Sequence, residues 1–497
     1  ILSMGVLLDS WLLELTVVTG CLFLAIYWYL TSKFDYWKLK GVPYLEPTPL
    51  VGNMKDSFLM RRCQHEVFND IYQRFEGDRY CGVYQFKQPE LMVRDPDLVK
   101  NVLVKDFSNF QDRLKNIDLT HNRIFESLFV LGAPKWRPLR VVLSPTFTSG
   151  KLKAMFGNLA RCAEKLNVSS ADKSEVLDIK ELSSNFTTDV IGTCTFGLQV
   201  DSVINPHDRF REFGRKLVSL SLLQMLSCFL LFFIPYLGRI LRVKIIDGKS
   251  ADFFRKVVRD AIDHRQNNNI KRNDFLQLLM ELKEKGKVEF EKDLSKEDSY
   301  LKNHLTEDSS NKEEDSLEIT DDLLLAQCLI FFTAGFETTS WTMSFCLHEL
   351  AVNPDIQQRL REEIDKVLED HGGELTYDAV QSMTYLGMVV DETLRKYPVV
   401  GFLTRECTSD YLVPDSNLVL KRGTTVIIPV YSLHHDPKYF PEPERFDPER
   451  FTEQNKRRRP HYCYLPFGEG PRICIGNTII RWNFAPGIIW FKASRIN

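Results

Sequence analysis

Residues 467–476 read "FGEGPRICIG", and five of these ten positions fit F-x-x-G-x-R-x-C-x-G, as Phe467, Gly470, Arg472, Cys474 and Gly476. A single cysteine between glycines suits a metal ligand, because glycine lets backbone N–H groups come close to the sulfur. An arginine two residues earlier is placed to pair with an anionic group on whatever carries that metal. A buried structural cysteine beside a turn is the plainer reading, and for an isolated cysteine it would prevail. Five matched positions weigh against it here. A second cluster lies in "LIFFTAGFETT" (329–339), where Gly335, Glu337, Thr338 and Thr339 interrupt an apolar run. Polar groups in such surroundings are costly unless they face a polar cavity. Threonine can bond the carbonyl of the preceding turn, and glycine in a helix interior costs about 1 kcal/mol against alanine. These residues describe a locally widened helix offering proton donors to a pocket. A core or transmembrane helix with satisfied polar residues accounts for them equally well.

Such residues need a large scaffold, and 497 residues supply one. The apolar and charged fractions, 44% and 26%, exclude wholesale disorder. A net charge of −3 with dispersed basic residues argues against nucleic acid as a partner. Eleven scattered cysteines form no CxxC and no zinc-finger spacing, which favours a reducing compartment over a disulfide framework.

Near the amino terminus, "WLLELTVVTGCLFLAIYWYL" (11–30) is long enough to cross a bilayer. Lys33, Lys38 and Lys40 follow it and no basic residue precedes it, so the positive-inside rule puts the rest of the chain in the cytosol. The division expected is an anchor over 1–32, a proline-containing hinge over 33–53 and one catalytic domain over 54–497. A second apolar run, Leu217 to Leu237, also reaches spanning length, but serines, Gln224 and Pro235 interrupt it. It reads as a surface-seeking helix pair dipping into the bilayer.

Residues 80–94 read as a β-hairpin and 144–286 as mostly helical. The charge-dense stretch 283–318 reads as a loop without structure of its own. A very long helix is predicted from a cap at Thr320/Asp321 to a stop at Asn353-Pro354, with a second from Pro354 to about Asp370. A third carries "VVDETLRKYP" (389–398), and 411–430 reads as short strands. The fold class is mainly α with a small β portion.

The cysteine motif, "AGFETT" (334–339) and "ETLR" (392–395) together resemble the cytochrome P450 superfamily of haem-thiolate monooxygenases. "GVPY", "LSPTFTSGKLKAMF", "FTTDVIGTCTFG" and "HYCYLPFGEGPR" resemble the insect family-nine members most. The resemblance implies a cytochrome P450 fold behind an amino-terminal anchor in the endoplasmic reticulum membrane. It implies haem b (iron protoporphyrin IX) with Cys474 as axial ligand of the iron and Phe467, Gly470 and Gly476 shaping the loop. Trp136, Arg140, Arg405 and Arg472 would meet the haem propionates, with Arg113 a weaker candidate. Glu392, Arg395 and Arg450 would form a buried structural ion network, although a surface i,i+3 pair explains the first two as well. Thr338 would hydrogen-bond the distal oxygen and Glu337 would relay protons through water, while Ala334, Gly335 and Phe336 line the oxygen groove.

Substrate contacts are expected from 107–130, 203–237, Phe332 to Thr339 and Val399 to Leu403, all rich in Phe, Leu and Val. That composition points to lipophilic small molecules: xenobiotics, plant toxins or insecticides, with endogenous lipids or hormones also open. The chain contains no G-x-G-x-x-G, so electrons are expected from NADPH through a separate flavoprotein reductase, with cytochrome b5 a second donor. "NKRRRP" (455–460) is a candidate part of the docking face, against the plainer reading of a solvated charge run.

After Gly476 the resemblance fades. The family continues with a long helix, a β element and a last loop, whereas this chain has "NTIIRWNFAPGIIWFKASRIN" (477–497). Pro486-Gly487 is expected to end any helix there after roughly two turns. The carboxyl-terminal part therefore reads as truncated. Two expectations follow: an active monooxygenase with a divergent end, or a catalytically inactive haem- or ligand-binding variant. Buried apolar surface stabilises by roughly 25 cal/mol per Å², so a missing helix predicts weak haem retention.

Overall fold

The computed structural model describes residues 11–113, 122–170, 178–219, 221–233, 235–272, 274–285, 287–288, 317–477, 487 and 489. Two units divide the chain: residues 1–111, 400–439 and 460–464, and residues 112–399, 440–459 and 465–497.

In the first unit the apolar amino-terminal run forms one helix, α1 (Trp11–Thr31), with its apolar side chains exposed along its length. Its end is fastened to the body. Lys87 lies 3.1 Å from the Tyr29 ring centre, and Lys33 Nζ donates to Gln88 Oε1 at 3.2 Å. Trp37 is fully buried and donates through its backbone N–H to Tyr84 Oη at 3.2 Å. A Cβ on Gly82 would stand 2.4 Å from the Trp37 ring, so only glycine at 82 leaves room for the indole. Residues 80–93 form the expected hairpin, β1 (Tyr80–Gln85) and β2 (Gln88–Val93), paired antiparallel. With β3 (Leu403–Glu406) and β4 (Thr425–Ile428) they make a four-stranded sheet in the order β1-β2-β4-β3. The β2–β4 pairing is parallel and β4–β3 antiparallel. The segment 411–430 is strand-rich as expected, with Tyr411–Leu412 and Val419–Leu420 pairing beside that sheet's strands in sequence.

The second unit is helical. Its elements include α2 (Ala133–Leu143), α3 (Ile179–Phe196), α4 (Arg209–Val218), α5 (Leu222–Phe233), α6 (Pro235–Ile240) and α7 (Gly248–Asn267). They are followed by α8 (Asp321–Val352), α9 (Pro354–Asp370) and α10 (Thr384–Lys396). The ends of α8 fall where the sequence places them. Thr320 Oγ1 accepts from the Leu323 N–H at 3.2 Å as an N-cap, and Pro354 opens the next helix.

Three helices crowd onto α8, which is a core helix and not a membrane span. Leu323 to Leu329, Phe332, Phe336 and Thr339 are buried along it. A Cβ on Gly335 would come 2.5 Å from Ile191 Cδ1, and one on Gly214 would come 2.6 Å from Phe332. Glycine at these two points thus lets α3 and α4 approach α8. Phe332 gathers Phe210, Phe254 and Phe336 around it at ring-centre distances of 4.9, 5.2 and 4.9 Å.

The run 217–237 is divided into α5 and α6, and at 12 residues α5 is about 18 Å long, too short to cross a bilayer. Leu222, Leu223 and Leu226 are exposed on it. Most of the charged stretch 283–318 lies outside the described residues, but Lys287–Val288 and Leu317–Glu318 pair as two short antiparallel strands. Of the tail, 478–486 lies outside them too. Gly487 and Ile489 have helical backbone, so helical conformation occurs beyond Pro486-Gly487, where the sequence predicts a stop. A Cβ on Gly487 would stand 2.4 Å from Met343 Cε and 3.2 Å from Phe186 Cε1, which places this glycine directly against α8 and α3.

Candidate functional site

The loop from Leu465 to Gly476 is tied by its own backbone. The Cys474 N–H donates to Phe467 O at 2.9 Å, the Ile473 N–H to Gly470 O at 2.9 Å and the Gly468 N–H to Leu465 O at 3.1 Å. Gly468 and Gly470 sit at φ +72° and +75°, which favours glycine, so the motif's first glycine is required by the turn itself. Burial raises the Cys474 thiol above its ordinary value. A hydrogen bond from the Gly476 N–H and the charges of Arg140 and Arg113 pull the other way. Every influence except burial favours the thiolate, and coordination to a metal removes a thiol proton outright.

Around this loop the second unit collects guanidinium groups. Arg472 is buried, donates to Leu131 O at 2.9 Å and lies 4.0 Å from the Trp136 ring centre. Asp112 Oδ1 stands 3.6 Å from Arg472 and accepts the Ala133 N–H at 2.8 Å, so one carboxylate caps α2 and faces the arginine. Arg113 donates to Arg472 O at 2.5 Å. Its guanidinium is pushed down to about 10 by burial and by the like charge of Arg140, against the pull of Cys474. Trp136 and Arg140, one turn apart on α2, are both buried. Arg405 is buried on β3 in the other unit, where it donates to Thr404 O at 2.8 Å.

On α8 the polar residues take two directions. Ala334 is exposed and Thr338 stands one turn on, with its hydroxyl donating to Ala334 O at 2.6 Å. Thr339 donates to Gly335 O at 2.7 Å. Both hydroxyls fold back within their own turn, and α8 stays α-helical from end to end rather than opening locally as the sequence predicts. Gly335 and the buried Phe336 point elsewhere, toward Ile191 and Phe332. Glu337 Oε1 lies 3.1 Å from Lys180 Nζ on α3.

The predicted ion network assembles fully. Arg395 donates to both oxygens of Glu392, at 2.7 and 2.9 Å, and to Pro443 O at 2.7 Å. Glu392 also accepts the Asp447 N–H at 2.9 Å and faces Arg450 Nε at 3.5 Å. Glu392 and Arg395 are fully buried, which rules out the surface-pair reading. Burial raises the Glu392 carboxyl, and the Arg395 bonds oppose it.

Sequence reasoning missed Asp112, although it adjoins Arg113, and missed Lys180, which nothing in the sequence links to Glu337. Of the segments expected to touch substrate, residues 114–121, 220 and 234 lie outside the described residues. A surface cavity of about 420 Å³ lined by Asp208, Arg209, Phe210, Phe253 and His264 includes none of the predicted catalytic or haem-binding residues, although Asp208, Arg209 and Phe210 belong to the 203–237 segment expected to touch substrate.

A family model described as Cytochrome P450 matches residues 42–485. The chain is 42% identical over 467 residues to Cytochrome P450 6k1 of Blattella germanica, covering 94% of this chain and 87% of that one. It is 40% identical over 490 residues to Probable cytochrome P450 6a13 of Drosophila melanogaster, covering 97% and 93%. Cytochrome P450 9e2 of Blattella germanica matches at 38% over 467 residues, covering 90% and 85%. The likeness thus takes in relatives numbered six as well as nine.

Proposed function

The chain belongs to the cytochrome P450 family and is a monooxygenase, and we propose that it inserts one oxygen atom of dioxygen into lipophilic small molecules. The family match runs past Gly476 to residue 485, which does not favour the reading of an inactive haem- or ligand-binding variant.

One observation carries the proposal: a lone cysteine in a glycine-turned loop, beside the buried cations Arg140 and Arg472 and beside Arg113. This donor set fits haem. A soft sulfur suits iron, and clustered guanidinium groups suit two carboxylates carried in a dry site. Cys474 would hold the iron through its sulfur, and Trp136, Arg140, Arg472 and Arg113 would meet the propionates. Haem, when bound, supplies the electron transfer and oxygen chemistry.

The chain's own residues supply position and protons. Ala334 and Thr338 share the open face of α8, with the Thr338 oxygen free to accept while its proton is held by Ala334 O. Glu337 lies beside that face and is reached by water, the requirement for a carboxylate that passes protons inward. The Glu392–Arg395–Arg450 network fixes the segment 443–450, on the way to the cysteine loop.

Electrons come from NADPH through a separate flavoprotein reductase, with cytochrome b5 a second donor. The exposed basic helix Glu453–Arg458 is offered as part of the docking face. Its Lys456 is only partly engaged, 3.4 Å from Glu453 and 3.9 Å from Asp391. The anchor is α1 and the membrane that of the endoplasmic reticulum, with the exposed leucines of α5 resting in its surface. Xenobiotics, plant toxins and insecticides are the substrate classes, with endogenous lipids or hormones the narrower option.

A reduced, carbon-monoxide difference spectrum of the expressed chain tests this reading. A red-shifted Soret band in the wild type, lost in Cys474→Ala, is the expected result. A wild-type chain without that band overturns it.

A further inference from the structure

We propose that Lys180 is a positioning residue for Glu337, holding its carboxylate in place at the water-reached edge of α8 between proton transfers. The proposal rests on the reading of Glu337 as a proton relay. An ammonium group has three donors, and Lys180 places all three: on Glu337 Oε1 at 3.1 Å, Ser340 Oγ at 2.8 Å and Ser184 Oγ at 3.0 Å. Its Nζ also lies 4.6 Å from the Trp341 ring centre. The ammonium is therefore fixed from four sides, and the carboxylate with it.

The position of Lys180 on its own helix sharpens the point. It is the second residue of α3, immediately behind the Asp178 cap, where the helix dipole disfavours a cation. The groups that reward a lysine there are Glu337 and Ser340 on α8 and, one turn along its own helix, Ser184. Arg211 on α4 also feels the Glu337 charge, but it is hydrogen-bonded to Asn185 at 2.9 Å and Glu181 at 3.2 Å. Among the described residues, Lys180 is thus the cation that touches Glu337.

The partial exposure of the pair, 29% and 28%, decides what it can do. Fully buried, the two charges would be locked together; fully exposed, they would not hold a geometry. At this depth water reaches the carboxylate while the ammonium still orients it. A proton from water neutralises Glu337, which weakens its hold on Lys180 and lets the acid turn toward the Thr338 face. Once it has given up that proton, the restored carboxylate returns to the ammonium. Lys180 keeps its charge throughout.

The test uses the holoenzyme with its reductase and ethoxycoumarin as reporter, reading product formed per NADPH consumed. Lys180→Met is expected to lower that ratio about tenfold, less than the roughly hundredfold a positioned acid contributes, because Glu337 is still present. The reporter's dissociation constant, read from its spectral shift, should not change, and Lys180→Arg should restore the ratio. A second readout is infrared: the carboxylate band identified by its loss in Glu337→Gln should shift in Lys180→Met. Should Lys180→Met fail to fold, Ser184→Ala should move both readouts the same way by a smaller amount. A wild-type ratio with an unshifted band in these variants overturns the role of Lys180. If Glu337→Gln itself leaves the ratio unchanged, the relay reading falls and this proposal with it.

Discussion

Arg395 grips both carboxylate oxygens of Glu392, at 2.7 and 2.9 Å, with neither side chain exposed to solvent. The same carboxylate receives the Asp447 N–H and faces Arg450. One acid therefore joins α10 to the segment 443–450.

Breaking this pair leaves an uncompensated buried charge, which costs about 3–5 kcal/mol. Arg395→Ala and Glu392→Ala should each lower the urea midpoint by a corresponding amount. The double variant should lose less than the sum, since removing both charges relieves the penalty. Additive losses would mean that the pair is not energetically coupled.

Arg472→Lys keeps the charge but cannot reproduce the bond to Leu131 O together with stacking on Trp136. A desolvated cation–π contact is worth about 2 kcal/mol. Transmitted to haem affinity, that is roughly thirtyfold. Haem retained per polypeptide after gel filtration should fall accordingly. Wild-type retention in the lysine variant would place Arg472 outside the haem site.

Asp189 is fully buried on α3, accepting the Ser202 N–H at 2.6 Å, and burial raises its carboxyl from the ordinary 3.8 to about 6. An acid that binds its proton more tightly when folded favours the folded state at low pH. Its contribution is complete below the unfolded value, is lost as pH rises through about 6 and stays constant above. The full amplitude is about 3 kcal/mol. Urea unfolding of wild type against Asp189→Asn should show the wild type losing ground between pH 4 and 7, by about that much. A pH-independent difference would show that Asp189 titrates normally.

Gly335→Ala ought to gain about 1 kcal/mol from helix propensity. The new methyl would instead meet Ile191 Cδ1 at 2.5 Å, and overpacking costs roughly 1–3 kcal/mol. A net loss of thermal stability is expected, and Gly335→Ala combined with Ile191→Ala should cost less than the two separately. Stabilisation by Gly335→Ala alone would mean that α3 and α8 are free to part.

What the sequence made legible was local. Thr320, Asp321 and the Asn353-Pro354 step mark both ends of α8, because caps and prolines act through neighbouring residues. The cysteine loop was readable for the same reason, since its glycines answer to a turn a few residues long. Glu392 and Arg395 are one helical turn apart, but it took the resemblance to bring in Arg450. Lys180 escaped notice because 157 positions separate it from Glu337, and a lysine at a helix start looks like any solvated lysine. The packing role of Gly335 is hidden in the sequence for a related reason. A glycine in a helix marks a missing side chain, and only the neighbouring helix says what occupies the space. The predicted opening of α8 failed because Thr338 and Thr339 satisfy their hydroxyls without disturbing the helix.

The seat of Trp37 over Gly82 bears on how the polypeptide can be shortened for production. A start placed just after Thr31 removes α1 yet keeps the indole, its bond to Tyr84 and the segment that pairs with β1. A start beyond Trp37 would remove the fully buried indole that packs over Gly82. The packing of the first unit thus begins within a few residues of Lys33, upstream of the prolines of 33–53.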